Sequence, residues 1–220
     1  MTDDKIIKTA EKFWKTRKRY PPFVHNFQRR YLDLGMVLNY IDGINSILDL
    51  GCGEGQILLM LRELTDIKNY YGYDISQFFI SNLVKRWGDY PGLMTKEINF
   101  KVIDKLPEID MCICMGVMPY IFDDNDLKNL ISNIKSKIFI CRMPCNLEST
   151  RVTIDKFSKD LGDNYAAIYR TIPEYIYMLL EFFNIKSICR CYSDEIESNY
   201  SSKQFYFICE KRKNNENKIY

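Results

Sequence analysis

The chain has 220 residues, enough for one domain with a substantial buried core. Its composition is 46% hydrophobic and 27% charged with a formal net charge of +2, which excludes a chain-wide attraction to nucleic acid or membrane surfaces. No apolar run approaches the roughly 20 residues that span a bilayer, and the N-terminus lacks the apolar middle of a signal peptide. We therefore expect a cytoplasmic protein that does not associate with membranes.

The N-terminal segment, 1–42, predicts a helical cover made of two helices that are broken at Pro21-Pro22. Between Lys5 and Arg30 it carries nine Lys or Arg and a single acid, Glu11. Such a basic cluster can contact phosphates or can be an ordinary solvated helix face, and both interpretations stay open.

Seven strand-like runs follow at 46–50, 69–73, 93–98, 109–115, 136–142, 185–192 and 203–210, most of them separated by helical patterns. Apolar strands that alternate with helices predict an α/β fold: a Rossmann-like, mostly parallel sheet with helices on both faces. The domain should cover 43–212, and the polar tail 213–220 should be frayed. Residues 143–170 fit no regular strand–helix count and are interpreted as an insertion, either a lid or a partner surface.

The eight cysteines lie mostly in apolar runs, and no pair has the two-residue gap of a zinc knuckle or a redox motif. Cys112 and Cys114 would point to the same face of a strand, which suits packing. We predict reduced, buried thiols and no metal site.

The most informative stretch is SILDLGCGEGQ at 46–56, where a buried strand ends at Asp49 and three glycines follow at alternate positions, Gly51, Gly53 and Gly55. Alternating glycines allow a sharp turn and let a ligand lie against the backbone. The spacing differs from the dinucleotide fingerprint, and no Lys-Ser or Lys-Thr follows as in a phosphate loop. The carboxylate beside the turn would repel a pyrophosphate and suits a ligand that carries an amino group.

A second carboxylate, Asp74, ends the next strand about twenty residues later. A carboxylate at that position can accept hydrogen bonds from both hydroxyls of a ribose. Ser76 would then cap the following helix.

Together these motifs carry a family resemblance. DLGCGEG at 49–55 resembles the first motif of class I S-adenosylmethionine (SAM) dependent methyltransferases, and GYDIS at 72–76 resembles their ribose-binding motif. MGVMPYI at 115–121 is similar to the segment after the fourth strand in members that act on small molecules. The resemblance implies a seven-stranded sheet whose last strand is antiparallel, SAM as cofactor and S-adenosylhomocysteine as product.

The resemblance also implies cofactor-binding positions. The turn of Gly51, Cys52 and Gly53, with Asp49 before it, would lie under the methionine portion, and Asp74 would hold the ribose beside Ile75. Asn99 and Phe100 would contact the edge of the adenine, and Met115 and Gly116 would lie near the sulfonium. Arg29 or Arg30 would bind the carboxylate of SAM; alternatively, these arginines belong to a solvated helix face.

Catalytic and acceptor-binding residues are less constrained by the sequence. His25, the only histidine, has a pKa range that suits a general base, or it is a surface residue without a role. Tyr120 would lie near the methyl group, either in catalysis or in shaping the acceptor pocket. Arg142 would hold an anionic acceptor, and the aromatic residues Tyr20, Tyr31 and Tyr169 would contribute to the acceptor site.

The acceptor is predicted to be small and polar or anionic, methylated on oxygen, because GVMPY at 116–120 departs from the motif of nucleic-acid amino-methylating enzymes. The overall form is similar to small bacterial methyltransferases that modify surface polysaccharides. Two alternatives stay open: an RNA or protein methyltransferase that uses the basic N-terminal helices, and a non-catalytic SAM-binding domain. In the first interpretation nucleic acid is not expected as a partner, and the protein would be a monomer or a homodimer.

Overall fold

A computed structural model of the chain describes residues 3–18, 26–100, 103, 105–158, 162–197 and 201–212. Predictions that involve Tyr20, Pro21-Pro22, His25 and the tail 213–220 lie outside the described residues.

The helices are α1 Asp3–Thr16, α2 Asn26–Leu38, α3 Gln56–Leu64, α4 Gln77–Trp87, α5 Asp124–Asn133, α6 Ile172–Leu180 and α7 Asp194–Glu197, with a 3₁₀ turn at Met118–Tyr120. The strands are β1 Ser46–Leu50, β2 Asn69–Asp74, β3 Leu93–Glu97, β4 Glu108–Met115, β5 Lys135–Asn146, β6 Val152–Ser158, β7 Asp163–Tyr169, β8 Phe183–Arg190 and β9 Ser202–Lys211.

Seven strands form one sheet in the order β3-β2-β1-β4-β5-β9-β8. The pairs among the first five are parallel, and β9 is antiparallel to both of its neighbours. The predicted α/β fold with an antiparallel last strand is therefore confirmed. Because β1 lies next to β4 while the chain proceeds first to β2, the sheet has a topological switch point between β1 and β4, where ligands bind in open α/β sheets.

The sheet is buried on both faces, as near-continuous apolar strands require. Ile47 faces one side and packs with Leu34 of α2 and Leu58 of α3. Leu48 faces the other and belongs to a larger core with Leu127 of α5 and other residues of α5 and α6. The predicted capping box of Thr171 and Glu174 begins α6.

The described part of 143–170, which the sequence predicts to be an insertion, forms regular secondary structure, most of it outside the seven-stranded sheet. β5 continues to Asn146 and stays paired with β9 over its whole length, and β6 and β7 then form an antiparallel hairpin. α1 packs against β7 and against the 3₁₀ turn, so the N-terminal helix and the hairpin lie together beside the end of β4.

The two ends of the hairpin are held at one place. Arg151, just before β6, donates to Asp124 at 2.9 and 2.8 Å and to Glu174 at 2.6 Å. Arg170, just after β7, is fully buried and donates to Asp124 at 2.9 Å and to the carbonyl of Ile121 at 2.9 Å. We call these four charged residues, Arg151, Arg170, Asp124 and Glu174, the hairpin clasp.

All eight cysteines are free thiols, seven of them buried. No helix within the described ranges combines the length and the apolar character that crossing a bilayer requires. Among the same ranges, no group of three or more His, Cys, Asp and Glu side chains is arranged to hold a metal ion.

Candidate active site

The glycine turn after β1 has the left-handed backbone that the motif predicts. Gly51, Gly53 and Gly55 have φ angles of 79°, 55° and 76°. A Cβ at Gly51 would lie 2.2 Å from Cγ2 of Val117, which follows β4. Any side chain at this position would therefore combine backbone strain with a collision. The turn thus leaves bare backbone next to the end of β4.

Asp74 joins this turn to the end of β2. One carboxylate oxygen accepts from the backbone N–H of Gly53 at 2.9 Å, and the other accepts from the N–H of Ser76 at 2.8 Å. Burial raises the pKa of Asp74, and hydrogen bonds from the backbone N–H groups of Ser76, Gly53 and Ile75 partly offset that effect. A carboxylate has about four acceptor positions, so it can still accept from a ligand.

Asp49 lies at the end of β1 and is almost fully buried. Its carboxylate accepts a hydrogen bond from the hydroxyl of Tyr70. Burial raises the pKa of Asp49 to about 7, against the lowering effect of Tyr70, and the negative charges of Asp74 and Asp33 add to the increase. A ligand cation at this end of β1 would relieve that repulsion.

The other predicted cofactor residues surround the same edge of the sheet. Ile75 is half-buried, Phe100 is buried and Asn99 is exposed, the last two just beyond β3. Met115 ends β4, and Gly116 follows with a φ of 80°. Cys52 differs in that its side chain packs with Ile80 and Leu83 of α4, which leaves only its backbone for a ligand.

Arg142 has contacts that differ from its predicted role. Its Nε donates to Asp33 of α2 at 2.7 Å, a second nitrogen donates to the same carboxylate at 3.3 Å, and the third donates to Gln204 at 2.8 Å. Burial by itself lowers the pKa of Arg142, but the ion pair with Asp33 raises it above its ordinary value. Tyr206 also donates to Asp33 at 2.8 Å. These contacts favour anchoring of α2 to the sheet over capture of an anionic acceptor.

Three tyrosine hydroxyls form a row beside the end of β4, which we call the tyrosine row. The hydroxyl of Tyr120 lies 3.3 Å from that of Tyr165, which lies 3.2 Å from that of Tyr169. Burial raises the pKa of Tyr120 to about 12 and also raises the pKa values of Tyr165 and Tyr169. At neutral pH these side chains are therefore neutral phenols, and Tyr120 is not poised as a base.

Helix α1 covers the tyrosine row. The ring of Trp14 meets that of Tyr120 edge-on at 5.0 Å, and Phe13 meets Tyr165 in the same way at 5.9 Å. Arg17 lies 4.4 Å above the ring of Phe13. Lys5, Lys8, Lys12 and Lys15 are exposed on the same helix. The apolar face of α1 thus packs inward while its lysines face solvent.

Helix α2 carries the remaining predicted residues. Arg29 and Arg30 are half-buried, and the Tyr31 side chain is 53% exposed. Burial lowers the pKa of Arg29, and the neighbouring charge of Arg142 lowers it further. Arg29 is also close enough to Tyr120 for its charge to lower the pKa of that phenol.

The sequence interpretation did not identify two residues of this region. Asp33 lies in an amphipathic helix, and the sequence feature that could have identified it is an acidic residue on the apolar side of α2, next to Leu34. Trp14 lies in a basic helix, where a tryptophan between charged residues could have indicated a buried face. Neither signal specifies the partner, because the partners are more than 100 residues away for both Asp33–Arg142 and Trp14–Tyr120.

The chain was compared with known proteins. Residues 48–138 match the family model described as a methyltransferase domain, and the match runs from within β1 to the first third of β5. It therefore contains the glycine turn, Asp74 and the 3₁₀ turn. This segment of the chain, 48–138, is a methyltransferase domain. The predicted resemblance to SAM-dependent methyltransferases and the predicted enzyme class are thus confirmed, and SAM is the methyl donor of such enzymes.

Solved structures of other methyltransferases share the fold. A SAM-dependent methyltransferase from Clostridium acetobutylicum is 16% identical with a TM-score of 0.63, covering 86% of this chain and 93% of that one. Phosphoethanolamine N-methyltransferase 1 of Haemonchus contortus, in complex with phosphoethanolamine and S-adenosylhomocysteine, is 15% identical with a TM-score of 0.71. This match covers all of this methyltransferase and 52% of the Haemonchus chain.

A geranyl diphosphate C-methyltransferase from Streptomyces coelicolor, in complex with Mg²⁺, geranyl diphosphate and S-adenosylhomocysteine, is 10% identical with a TM-score of 0.67. The alignment covers 94% of this chain and 98% of that one. A comparison with curated proteins found no match.

Proposed function

We propose that this methyltransferase transfers the methyl group of SAM to an oxygen of a small polar or anionic acceptor. The proposal depends on one observation above all: the bare backbone at Gly51, packed against Val117, lies beside the buried carboxylate of Asp74. The acceptor would lie between the end of β4, helix α1 and the hairpin β6–β7.

The residues at the carboxyl edge fit SAM. Gly51 and Gly53 offer backbone without side chains to the methionine portion, and Asp49 offers a carboxylate to its ammonium group. Asp74 would accept from the ribose hydroxyls, with Ile75, Asn99 and Phe100 near the adenine. Met115 and Gly116 would lie near the sulfonium, and Arg30 would pair with the cofactor's carboxylate. When bound, SAM supplies a methyl group already activated by its positive sulfur.

On the acceptor side, neutral phenols favour a polar ligand. Tyr120 and Tyr169 belong to a row of hydroxyls that donate and accept hydrogen bonds, and α1 excludes water from it. An anionic acceptor is supported by the two neighbours whose solved complexes contain phosphoethanolamine and geranyl diphosphate. Surface-sugar or phosphate-type precursors in bacteria have this chemistry.

Proton removal depends on the acceptor. An acceptor oxygen that is already ionised needs no general base, whereas an aliphatic hydroxyl does. With its pKa near 12, Tyr120 would serve by donating a hydrogen bond and orienting the acceptor. For an aliphatic hydroxyl we propose His25 as the general base and Tyr20 as part of the cover of the acceptor site. His25→Ala should lower turnover of a hydroxyl acceptor and leave SAM affinity unchanged; undiminished turnover would remove His25 from the mechanism.

Calorimetry with S-adenosylhomocysteine tests the cofactor assignment. Asp74→Ala should weaken binding roughly tenfold to a hundredfold, because each hydrogen bond to a charged group contributes about 1.5–3 kcal/mol. Asp66→Ala is the matched control, since Asp66 is an exposed carboxylate before β2, at the opposite edge of the sheet. Equal affinities for Asp74→Ala, Asp66→Ala and the unchanged protein would refute the proposed site.

A macromolecular acceptor is the second candidate, favoured by the exposed lysines of α1. Lys5, Lys8, Lys12 and Lys15 recur at intervals of three and four residues and so lie on one face of the helix. Incubation of a cell extract with methyl-tritiated SAM distinguishes the two candidates. Label in RNA or protein fractions, and none in small molecules, would favour a macromolecule.

We also propose that the reaction takes place in the cytoplasm, because eight free thiols suit a reducing compartment. A monomer or homodimer remains our prediction, and light scattering of the purified chain measures it.

A further inference from the structure

We propose that the acceptor is bound through a compact oxyanion, held by the tyrosine row together with the indole N–H of Trp14 and the positive charge of Arg29. This inference rests on the proposed function and specifies its substrate class: a phosphate-type group carrying at least one ionised oxygen.

The hydrogen bonds of the tyrosine row leave a donor for a ligand. Tyr120, Tyr165 and Tyr169 each have one hydroxyl proton, and the contacts of 3.3 and 3.2 Å between them use two of the three. One proton therefore remains at one of the hydroxyls. If the remaining proton is on Tyr120, Tyr165 donates to Tyr120 and Tyr169 donates to Tyr165, so the whole row directs its positive ends towards a bound anion.

Trp14 provides a second and independent indication of a ligand. Its Nε1 is buried and has no hydrogen-bond partner among the described residues. The centre of its ring lies 5.0 Å from the centre of the Tyr120 ring, so this donor is next to the Tyr120 side chain. An indole N–H can only donate, and a buried donor without an acceptor is costly. An oxyanion would supply the acceptor that Trp14 lacks.

The charges around the row have the sign that an oxyanion requires. Arg29 and Arg142 both lower the pKa of Tyr120 through their positive charge. Arg17 lies on α1 near Tyr120, although the exposed carboxylate of Asp163 offsets part of its charge. The edge-on packing of Trp14 and Tyr165 against Tyr120, with interplanar angles of 70° and 88°, does not form the box of ring faces that a quaternary ammonium prefers. A cationic acceptor is therefore disfavoured on both grounds.

An ionised acceptor oxygen would also account for the protonation state of the row. The oxygen attacks the methyl carbon, the carbon–sulfur bond breaks and its electron pair stays on sulfur as the neutral thioether. No proton is removed, so no group needs to be a base. The phenols remain protonated, which their raised pKa values favour.

The test is calorimetric titration of inorganic phosphate into the full chain saturated with S-adenosylhomocysteine, in a buffer free of other oxyanions. We expect phosphate to bind, and Tyr165→Phe to weaken its binding several-fold, because this variant removes the hydroxyl that donates to Tyr120 and orients the Tyr120 proton towards the anion. Tyr177→Phe is the matched control, because Tyr177 is a largely exposed tyrosine on α6. Trp14→Phe keeps an aromatic ring but removes the N–H, and it should also weaken phosphate binding.

Affinity for S-adenosylhomocysteine separates this inference from the proposed function. Retained affinity in Tyr165→Phe, with weakened phosphate binding, supports the inference and shows that the variant is folded. The inference is overturned if the unchanged protein binds S-adenosylhomocysteine but not phosphate, or if Tyr165→Phe and Trp14→Phe both bind phosphate normally. Binding of choline in place of phosphate would overturn it as well. Failure of the unchanged protein to bind S-adenosylhomocysteine would contradict the proposed function itself.

Discussion

The two sides of the candidate active site are built from different parts of the chain. The cofactor side, around the turn after β1 and the end of β2, is made of backbone: left-handed glycines and amide N–H groups that fix Asp74. The acceptor side is made of side chains from α1, the 3₁₀ turn and β7, which are separated by about 100 and 45 residues in sequence. The comparison indicates that one side is specified by local conformation and the other by tertiary packing, so the two should respond differently to mutation.

The largest effect is expected at Asp33, which joins the two sides by anchoring α2 to the sheet. Asp33→Ala leaves the buried guanidinium of Arg142 without its ion-pair partner and should lower the free energy of unfolding by about 3–5 kcal/mol. Chemical denaturation measures this change. Lys137→Ala, which removes an exposed ion pair with Asp110, is the control and should cost about 1 kcal/mol or less. Equal losses would mean that the Asp33 pair is not an anchor.

A smaller loss is expected from Gly51→Ala on the cofactor side. The left-handed backbone costs an alanine about 1–2 kcal/mol, and the collision with Val117 adds about 1–3 kcal/mol. Gly43→Ala is a matched control because Gly43 has a φ of 72° and nothing within 4 Å of its ideal Cβ, so it isolates the backbone term. Both free energies of unfolding and affinities for S-adenosylhomocysteine would be compared.

The double variant Gly51→Ala/Val117→Ala sharpens that comparison. It should recover part of the affinity for S-adenosylhomocysteine, because the smaller side chain at 117 removes the collision. If Gly51→Ala behaves like Gly43→Ala, close approach of β4 to the turn does not shape the cofactor side.

On the acceptor side, Arg151→Gln should loosen the hairpin without unfolding the domain. Arg151 is partly exposed, so loss of its bonds to Asp124 and Glu174 should cost on the order of 1 kcal/mol, and amides of β6 and β7 should exchange hydrogen several-fold faster. Hydrogen exchange read by mass spectrometry measures this. Arg62→Gln, which removes longer ion pairs on α3, should leave the hairpin unchanged. Faster exchange throughout the sheet would contradict a local clasp.

The smallest effect is a pH dependence that originates at Asp49. Its pKa of about 7 in the free protein means that it must lose a proton to pair with a ligand ammonium. Affinity for S-adenosylhomocysteine should therefore rise several-fold between pH 6 and 7.5, on the order of 1 kcal/mol. Asp49→Asn should abolish the rise, and an unchanged slope in that variant would assign it to another group.

Without ligand the sign reverses. The folded protein binds the Asp49 proton more tightly than the unfolded chain, so this group contributes stability at low pH that is lost as pH rises through 7.

The fold, the glycine turn and the position of Asp74 could be predicted because their signals are local in the sequence. SILDLGCGEG contains both the strand and the turn, and Asp74 ends the adjacent strand, so the parallel sheet brings them together without further information. The structure confirms the mostly parallel seven-stranded sheet, with β5 ending four residues later than predicted because it follows β9 to Asn146.

The acceptor side could not be predicted to the same depth. The pattern of 143–170 has no apolar run that distinguishes a hairpin from a lid, and the partners of Tyr120, Trp14 and Arg142 depend on how α1 and α2 pack. Arg142 illustrates the limit: its place at the end of β5 was predictable, whereas its buried pairing with Asp33 was not.

Because of the hairpin clasp, the hairpin β6–β7 can be replaced as a unit. Arg151 and Arg170, at the two ends of the hairpin, both donate to the carboxylate of Asp124. The length and the side chains of the hairpin can therefore change while its two ends stay fixed. Under the proposed function, grafting a hairpin of different sequence between 152 and 169 would change acceptor preference and leave the glycine turn and Asp74 unchanged.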